Sequence, residues 1–226
     1  MHDLTDAIFE MELQAQIDKV DSLAVLDICG GSGAWSKPYA DNGYSVYIID
    51  VEDVRQNTSA KLIQMDVRDP HLIYRLFALN LNIHGILAAP PCTHFAGSGA
   101  QYWKVKDADG RTESDILIIK EILKIINSFS PYWWALENPI GRIPKLIPEL
   151  GDPVMYFQPW EYGDPWTKKT CLWGNFNDPE KNPIEPVKFT KQGSWTQKLG
   201  GKSSRTKFLR SMTPPGFARA FFESNP

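Results

Sequence analysis

The sequence predicts an α/β protein built on one mostly parallel sheet. Short apolar and β-branched runs alternate with helical stretches, a glycine-rich turn follows the first run, and several runs end in acids or amides. In open sheets of this kind ligands gather at the carboxyl ends of the strands, so those ends are where function is sought.

Taken in order, Leu4, Ile8, Phe9, Met11, Leu13 and Ile17 have helical spacing over 4–19, closed by Asp21 and Ser22. AVLDI (24–28) is the first strand and runs into CGGSGAWS. YSVYIID (44–50) and KLIQMD (61–66) are strands that both end in aspartate, and HLIYRLFAL (71–79) is helical. HGILAA (84–89) is a strand that leads to Pro90, Pro91 and Cys92. ILIIKEILKIINSF (116–129) is a helix with a broad apolar face, and YWWALEN (132–138) is a strand closing on Glu137 and Asn138, with Trp133 and Trp134 in the core. VMYFQ (154–158) and TCLWG (170–174) are the late strands, and the proline-rich DPEKNPIEP (178–186) reads as a linker.

A chain of 226 residues is long enough for one large domain, and 42% hydrophobic residues is ordinary for a globular protein. The first residues carry acids where a secretory leader has bases, and no apolar stretch approaches the roughly 20 residues of a membrane span. Cys29, Cys92 and Cys171 are far apart and lack metal-ligand spacing. A cytoplasmic protein without a disulfide framework or a metal site is expected. The net charge of −3 is unevenly spread: residues 181–226 carry +7, the first 180 carry −10, and no acid stands between Val187 and Phe222. A basic tail on an acidic body suits a polyanion-binding edge, although such runs also serve as solvated surface.

The strand ends carry the chemistry. DICGGSG (27–33) sets Gly30, Gly31 and Gly33 in a tight turn, and Asp50 lies 20 residues after Gly30, where an acid can hold ribose hydroxyls. Neither the G-x-G-x-x-G of a dinucleotide site nor a G-x-x-x-x-G-K-[ST] phosphate loop is present. A cofactor with a ribose and an adenine but no polyphosphate remains, and S-adenosylmethionine fits. A free cysteine is usually a small buried hydrophobe. At matched strand ends beside a cofactor turn, Cys92 and Glu137 instead make a reagent pair for a pyrimidine ring. A thiolate adds to C6 of cytosine while the acid gives a proton to N3, and C5 becomes nucleophilic enough to accept a methyl group. The thiol is expected to have a lowered pKa or to be activated by attack geometry.

DICGGSGAWS, APPC, LENP, WEYGDPWTKKTCLWG (160–174) and RSMTPPGFARAFF (210–222) resemble, in that order, motifs of the DNA cytosine-5 methyltransferases, more closely their small bacteriophage-type members. The resemblance covers nearly the whole chain after residue 22. It implies a class I S-adenosylmethionine-dependent methyltransferase fold: Rossmann-like, with a mostly parallel seven-stranded sheet and helices on both faces. It also implies base flipping and a covalent enzyme–base intermediate. Cys92 would be the nucleophile, Glu137 the N3 contact and Asn138 the support of the Cys92 loop. Lys168 falls at the family's first motif arginine. The cofactor set implied is Asp27, Ile28, Cys29, Gly30, Gly31, Gly33, Val51 and Pro90, with Asp50 at the ribose and Asp66 and Val67 at the adenine.

The chain departs from the family at several points. Cys29 stands where the family has an aromatic residue, Thr170 where it has a second arginine, and Pro139 where it has valine. Its final motif has no counterpart after Phe222, and the helix at 4–19 is expected to fill that place. About 36 residues separate Gly174 from Arg210, so the recognition region is reduced. The expected division is a catalytic domain over 1–177, a reduced recognition segment over 178–209, and a C-terminal helix over 210–226 that returns to the catalytic domain. Residues 93–114 read as a Gly/Ser-rich lid with Gly97 and Gly99 as hinges and Gln101 or Trp103 probing the vacated base stack, next to Thr93. In the tail, Lys198, Lys202, Arg205, Lys207 and Arg210 are candidate phosphate contacts, with Trp195 and Phe208 for stacking. The expected partner is DNA, bound by a monomer or weak dimer. RNA or a free cytosine nucleotide remains an alternative substrate, and a non-catalytic binding role on the same fold an alternative function. An amino-group methyltransferase fits poorly, because Ala89-Pro90-Pro91-Cys92 lacks both the acceptor and the aromatic of that tetrapeptide.

Overall fold

The computed structural model describes residues 22–55, 59–187 and 203–226, so the helix expected at 4–19, Trp195, Lys198 and Lys202 lie outside the described residues. Seven strands form one sheet: β1 (Leu23–Ile28), β2 (Ser45–Asp50), β3 (Lys61–Gln64), β4 (Asn82–Ala88), β5 (Trp133–Pro139), β6 (Met155–Phe157) and β7 (Thr170–Asn175). Their order is β3-β2-β1-β4-β5-β7-β6. Pairing is parallel from β3 through to β5, and β7 alone runs against its neighbours. This is the Rossmann-like sheet of the class I methyltransferase fold, with its switch in strand order between β1 and β4.

The strands are apolar throughout because both faces are covered. Alternate side chains of β1 serve opposite cores: Leu26 and Ile28 face one, Val25 the other. The first face takes α2 (His71–Ala78) and α4 (Arg111–Phe129), whose Ile116, Ile119, Ile122 and Ile126 follow the three-and-four spacing of a buried stripe. The second takes α1 (Lys37–Asp41) and α7 (Pro215–Ser224). Here Phe217 stacks on Phe157 with centroids 3.8 Å apart, and Trp35 lies edge-on to Phe221 at 5.5 Å. Trp133 joins this core and Trp134 packs against the first. Between these elements lie the short helices α3 (Trp103–Ala108) and α5 (Ile143–Leu146), and α6 (Ser204–Ser211) precedes α7.

Two segments differ from the sequence reading. Residues 93–114 are not an open loop: they form a 3-10 turn (Gly97–Tyr102), α3, and the start of α4. Nor is 178–186 a free linker, because the backbone N–H groups of Asn182, Ile184 and Val187 donate to the carbonyls of Glu161, Trp160 and Pro165. Among the described residues no helix is long and apolar enough to cross a membrane.

Phe217→Ala should lower the unfolding free energy by roughly 3–5 kcal/mol, read from a denaturant midpoint. Tyr74→Ala, at a side chain 71% exposed, should shift it by about 0.5 kcal/mol or less. Equal effects would show that the α7 aromatics are not core.

Candidate active site

The turn after β1 is organised around a buried acid. Asp27 is 1% exposed; its Oδ2 accepts the Ser36 hydroxyl at 2.5 Å, while Oδ1 has no hydrogen-bond partner. Gly30 closes over this carboxyl so tightly that an added Cβ would lie 2.4 Å from Asp27 Cγ. Burial pushes the Asp27 pKa up to about 7, against the pull of the Ser36 hydrogen bond, and the neighbouring Asp50 charge adds to the rise. Cys29 holds a left-handed φ of 56° and its N–H donates to the Ile49 carbonyl at 2.8 Å, tying the turn to β2. Few non-glycine residues adopt that region. Burial first, and then the Asp50, Asp27 and Asp66 charges, push its thiol upward.

Asp50, at the tip of β2, takes the Gly31 N–H on Oδ2 at 3.0 Å and the Glu52 N–H on Oδ1 at 3.1 Å. Both oxygens keep acceptor capacity for a further donor. The next residue, Val51, is an exposed apolar side chain. Asp66 is already engaged: Arg68 Nε reaches one carboxylate oxygen at 2.9 Å and a terminal nitrogen the other at 2.5 Å, holding the carboxyl below its usual range. Arg68 also donates to Ser114 Oγ at 2.6 Å. The Val67 side chain belongs to the core, leaving only its backbone for a ligand.

The parallel register of β4 and β5, Ala88 opposite Leu136, sets their carboxyl ends side by side. Cys92 follows the end of β4 and Glu137 lies near the end of β5. The fully buried Asn138 donates its side-chain amide to the Pro90 carbonyl at 2.9 Å. Because β7 is antiparallel to β5, it begins beside the end of β5, and Lys168 Nζ comes within 3.8 Å of Glu137 Oε1. Burial, and after it the Glu137 charge, raise the Cys92 pKa; the Lys168 and Arg210 charges pull it back. The lowered pKa expected from the sequence is therefore not found, because desolvation outweighs the two cations.

Other candidates fall differently. Thr170 is buried and its hydroxyl donates to the Lys168 carbonyl at 2.9 Å, so it faces its own strand rather than a substrate. Trp103 does not project as a probe: its ring lies 4.5 Å under the Arg142 guanidinium. Thr93 and Gln101 are exposed, with the Thr93 carbonyl accepting Lys106 Nζ at 2.6 Å. Arg205 is exposed on α6, and Lys207 lies on the same helix. The structure thus gathers Cys92, Glu137, Asn138 and Lys168, with the charge of Arg210 felt at the thiol. Sequence reasoning missed Arg68, Arg142 and the His94–Asp115 contact, in which His94 Nδ1 meets an Asp115 carboxylate oxygen from α4.

No protein-family model matches the chain, and no curated protein does. Among solved structures, it is similar to a candidate DNA modification methyltransferase encoded within an E. coli prophage, with 18% identity, a TM-score of 0.49, and coverage of 81% of this chain and 56% of the other. The chain thus spans little more than half the length of that neighbour. It is also similar to magnesium protoporphyrin IX methyltransferase from Synechocystis, solved with bound S-adenosylmethionine (14% identity, TM-score 0.39, 76% and 78% coverage). A UDP-glucose 4-epimerase matches at 19% identity and a TM-score of 0.33, over 47% of this chain and 32% of its own.

The Asp27 pKa is higher folded than unfolded, so its stability contribution is whole below the ordinary carboxylate value of 3.8 and is lost as pH rises towards 7. Between about pH 4 and about pH 8 the protein should lose roughly 4 kcal/mol relative to Asp27→Asn. Thermal melts of both proteins across that range measure it, and parallel curves would mean that Asp27 ionises normally.

Proposed function

We propose that this protein transfers a methyl group from S-adenosylmethionine to C5 of cytosine in DNA. The observation that carries the reading is the pairing of Cys92 with Glu137 at neighbouring parallel strand ends, joined through Asn138, with β4 lying directly beside the strand that leads into the glycine turn. The crevice suits the cofactor: Asp50 offers carboxylate acceptors to a ribose diol, Val51 an apolar surface to an adenine, and the unpartnered Asp27 Oδ1 a buried acceptor beside the turn. When bound there, S-adenosylmethionine supplies an electrophilic methyl group on a sulfonium centre.

The residues divide the remaining work. Glu137 takes up a proton from water as the base binds and gives it to N3, while Cys92 Sγ releases its own proton to water and bonds to C6. The electron pair arriving at C5 takes the methyl group from the bound cofactor, whose sulfur–methyl bond breaks to leave a neutral thioether. Loss of the C5 proton to water then expels Sγ from C6, and N3 returns its proton to Glu137. In the resting protein the Glu137 charge is among the influences that keep the thiol protonated. A base that takes a proton in common with Glu137 neutralises that charge, so substrate binding itself favours the thiolate. Lys168 steadies the Glu137 carboxylate. DNA as the polymer is favoured by the Arg210 charge at the thiol and by the basic segment leading to it.

Expression in a host lacking cytosine methylation, followed by nucleoside mass spectrometry of DNA and RNA, should reveal 5-methylcytosine in DNA that disappears with Cys92→Ala. Cofactor binding by that variant should stay near normal. Product in RNA alone would move the substrate, and no product in either polymer would remove the reading of a nucleic-acid methyltransferase. Glu137→Gln should slow transfer by roughly 10²- to 10⁴-fold. The same variant should make Cys92 react faster with iodoacetamide near neutral pH, because a negative charge beside the thiol is gone. Slower alkylation would contradict the electrostatic link.

A further inference from the structure

The segment that follows Cys92 is held by a single side chain from beyond β5. Arg142 is 10% exposed. Its Nε donates to the His94 carbonyl at 3.0 Å, its two terminal nitrogens fork onto the Asp107 carboxylate at 2.7 Å each, and one of them also reaches Thr112 Oγ1 at 3.0 Å. The plane of the guanidinium covers the Trp103 ring at 4.5 Å. Backbone bonds run alongside: the Arg142 N–H donates to the Phe95 carbonyl at 3.1 Å, and the Gly97 N–H to the Ile140 carbonyl at 2.9 Å. Gly141 permits this approach, since a Cβ there would stand 2.0 Å from the Phe95 carbonyl oxygen.

Cys92 therefore sits between two carbonyl ties. Asn138 grips the chain two residues before it, at Pro90, and Arg142 grips it two residues after, at His94. Both come from the stretch that carries Glu137. The spacing of thiol and carboxylate is thus set from both sides of the thiol, and lysine cannot replace the second tie because it lacks the planar fork. We infer that Arg142 is a positioning residue for Cys92, clamping the segment behind the thiol so that Sγ meets its target at a defined distance from Glu137. This rests on the reading of Cys92 as the attacking group.

Arg142→Lys keeps the cation and removes the fork; Asp107→Asn, at an exposed carboxylate, weakens the clamp from its other end. Misplacing a nucleophile should lower kcat on unmethylated plasmid DNA by roughly 10- to 100-fold, with KM for S-adenosylmethionine nearly unchanged. Loosening the segment should at the same time speed iodoacetamide alkylation of Cys92 several-fold, scored by peptide mass spectrometry, and Cys29 and Cys171 should keep their rates. Asp107→Asn should move both readouts the same way by less. A thiol that becomes more accessible yet works more slowly is the signature of lost positioning. Unchanged Cys92 alkylation in both variants, or a common rise at all three cysteines, would overturn the assignment. If wild-type protein methylates no DNA, the functional reading falls, and the alkylation rates still decide whether the clamp exists.

Discussion

A buried amide joins the two strand ends on which the proposed chemistry stands. The Asn138 side chain, wholly inside the protein, reaches across from β5 to the Pro90 carbonyl beyond β4. Parallel pairing brings those ends to one edge, and the amide converts a shared edge into a fixed separation. A hydrogen bond of this kind is worth only about 1 kcal/mol net, but leaving its partners unpaired in the interior costs more. The register therefore has little freedom to slide, and the segments that hold Cys92 and Glu137 inherit that rigidity.

The electrostatic arrangement follows from the same geometry. Desolvation and a carboxylate hold the thiol neutral, while two cations from different parts of the chain, Lys168 and Arg210, oppose them. Lys168 arrives because β7 starts where β5 ends; Arg210 arrives on the helix just before α7. A thiol guarded in this way resists adventitious oxidation and alkylation while its surroundings stay unchanged. Asp27 shows a related economy at the cofactor edge: a buried carboxyl beneath the glycine turn, with one oxygen satisfied by Ser36 and the other unpartnered.

Much of this was legible in the sequence. Strands covered on both faces leave contiguous apolar runs, which is why 24–28, 44–50, 84–89 and 132–138 stood out and why their polar ends marked the site. What stayed hidden depends on contacts between distant residues. The stretch 93–114 reads as loop because it is polar and rich in glycine, and part of its order comes from Arg142, a cation in ENPIGRIPKL that no local pattern marks. The sign of the Cys92 shift was misjudged because burial outweighs nearby cations and cannot be seen in one dimension. Asp66 was singled out, but its capture by Arg68 two residues later was not, since nothing in that spacing requires the side chains to fold back on each other.

The reversed strand has a consequence for how much chain is left to read a substrate. Because β7 runs downward, it delivers Asn175 to the edge of the sheet opposite Cys92. The chain must then climb the full height of the sheet before it can touch anything bound at the site. The stretch leading to Val187 makes that climb, laced to the backbone of 160–165 on the way. The Asn182, Ile184 and Val187 N–H groups are committed to scaffold, so on the proposed reading the span left for recognition narrows to what lies between Val187 and Arg210. Within that span cations are frequent and acids absent, so on the proposed reading its contacts would fall on a sugar–phosphate chain more than on bases.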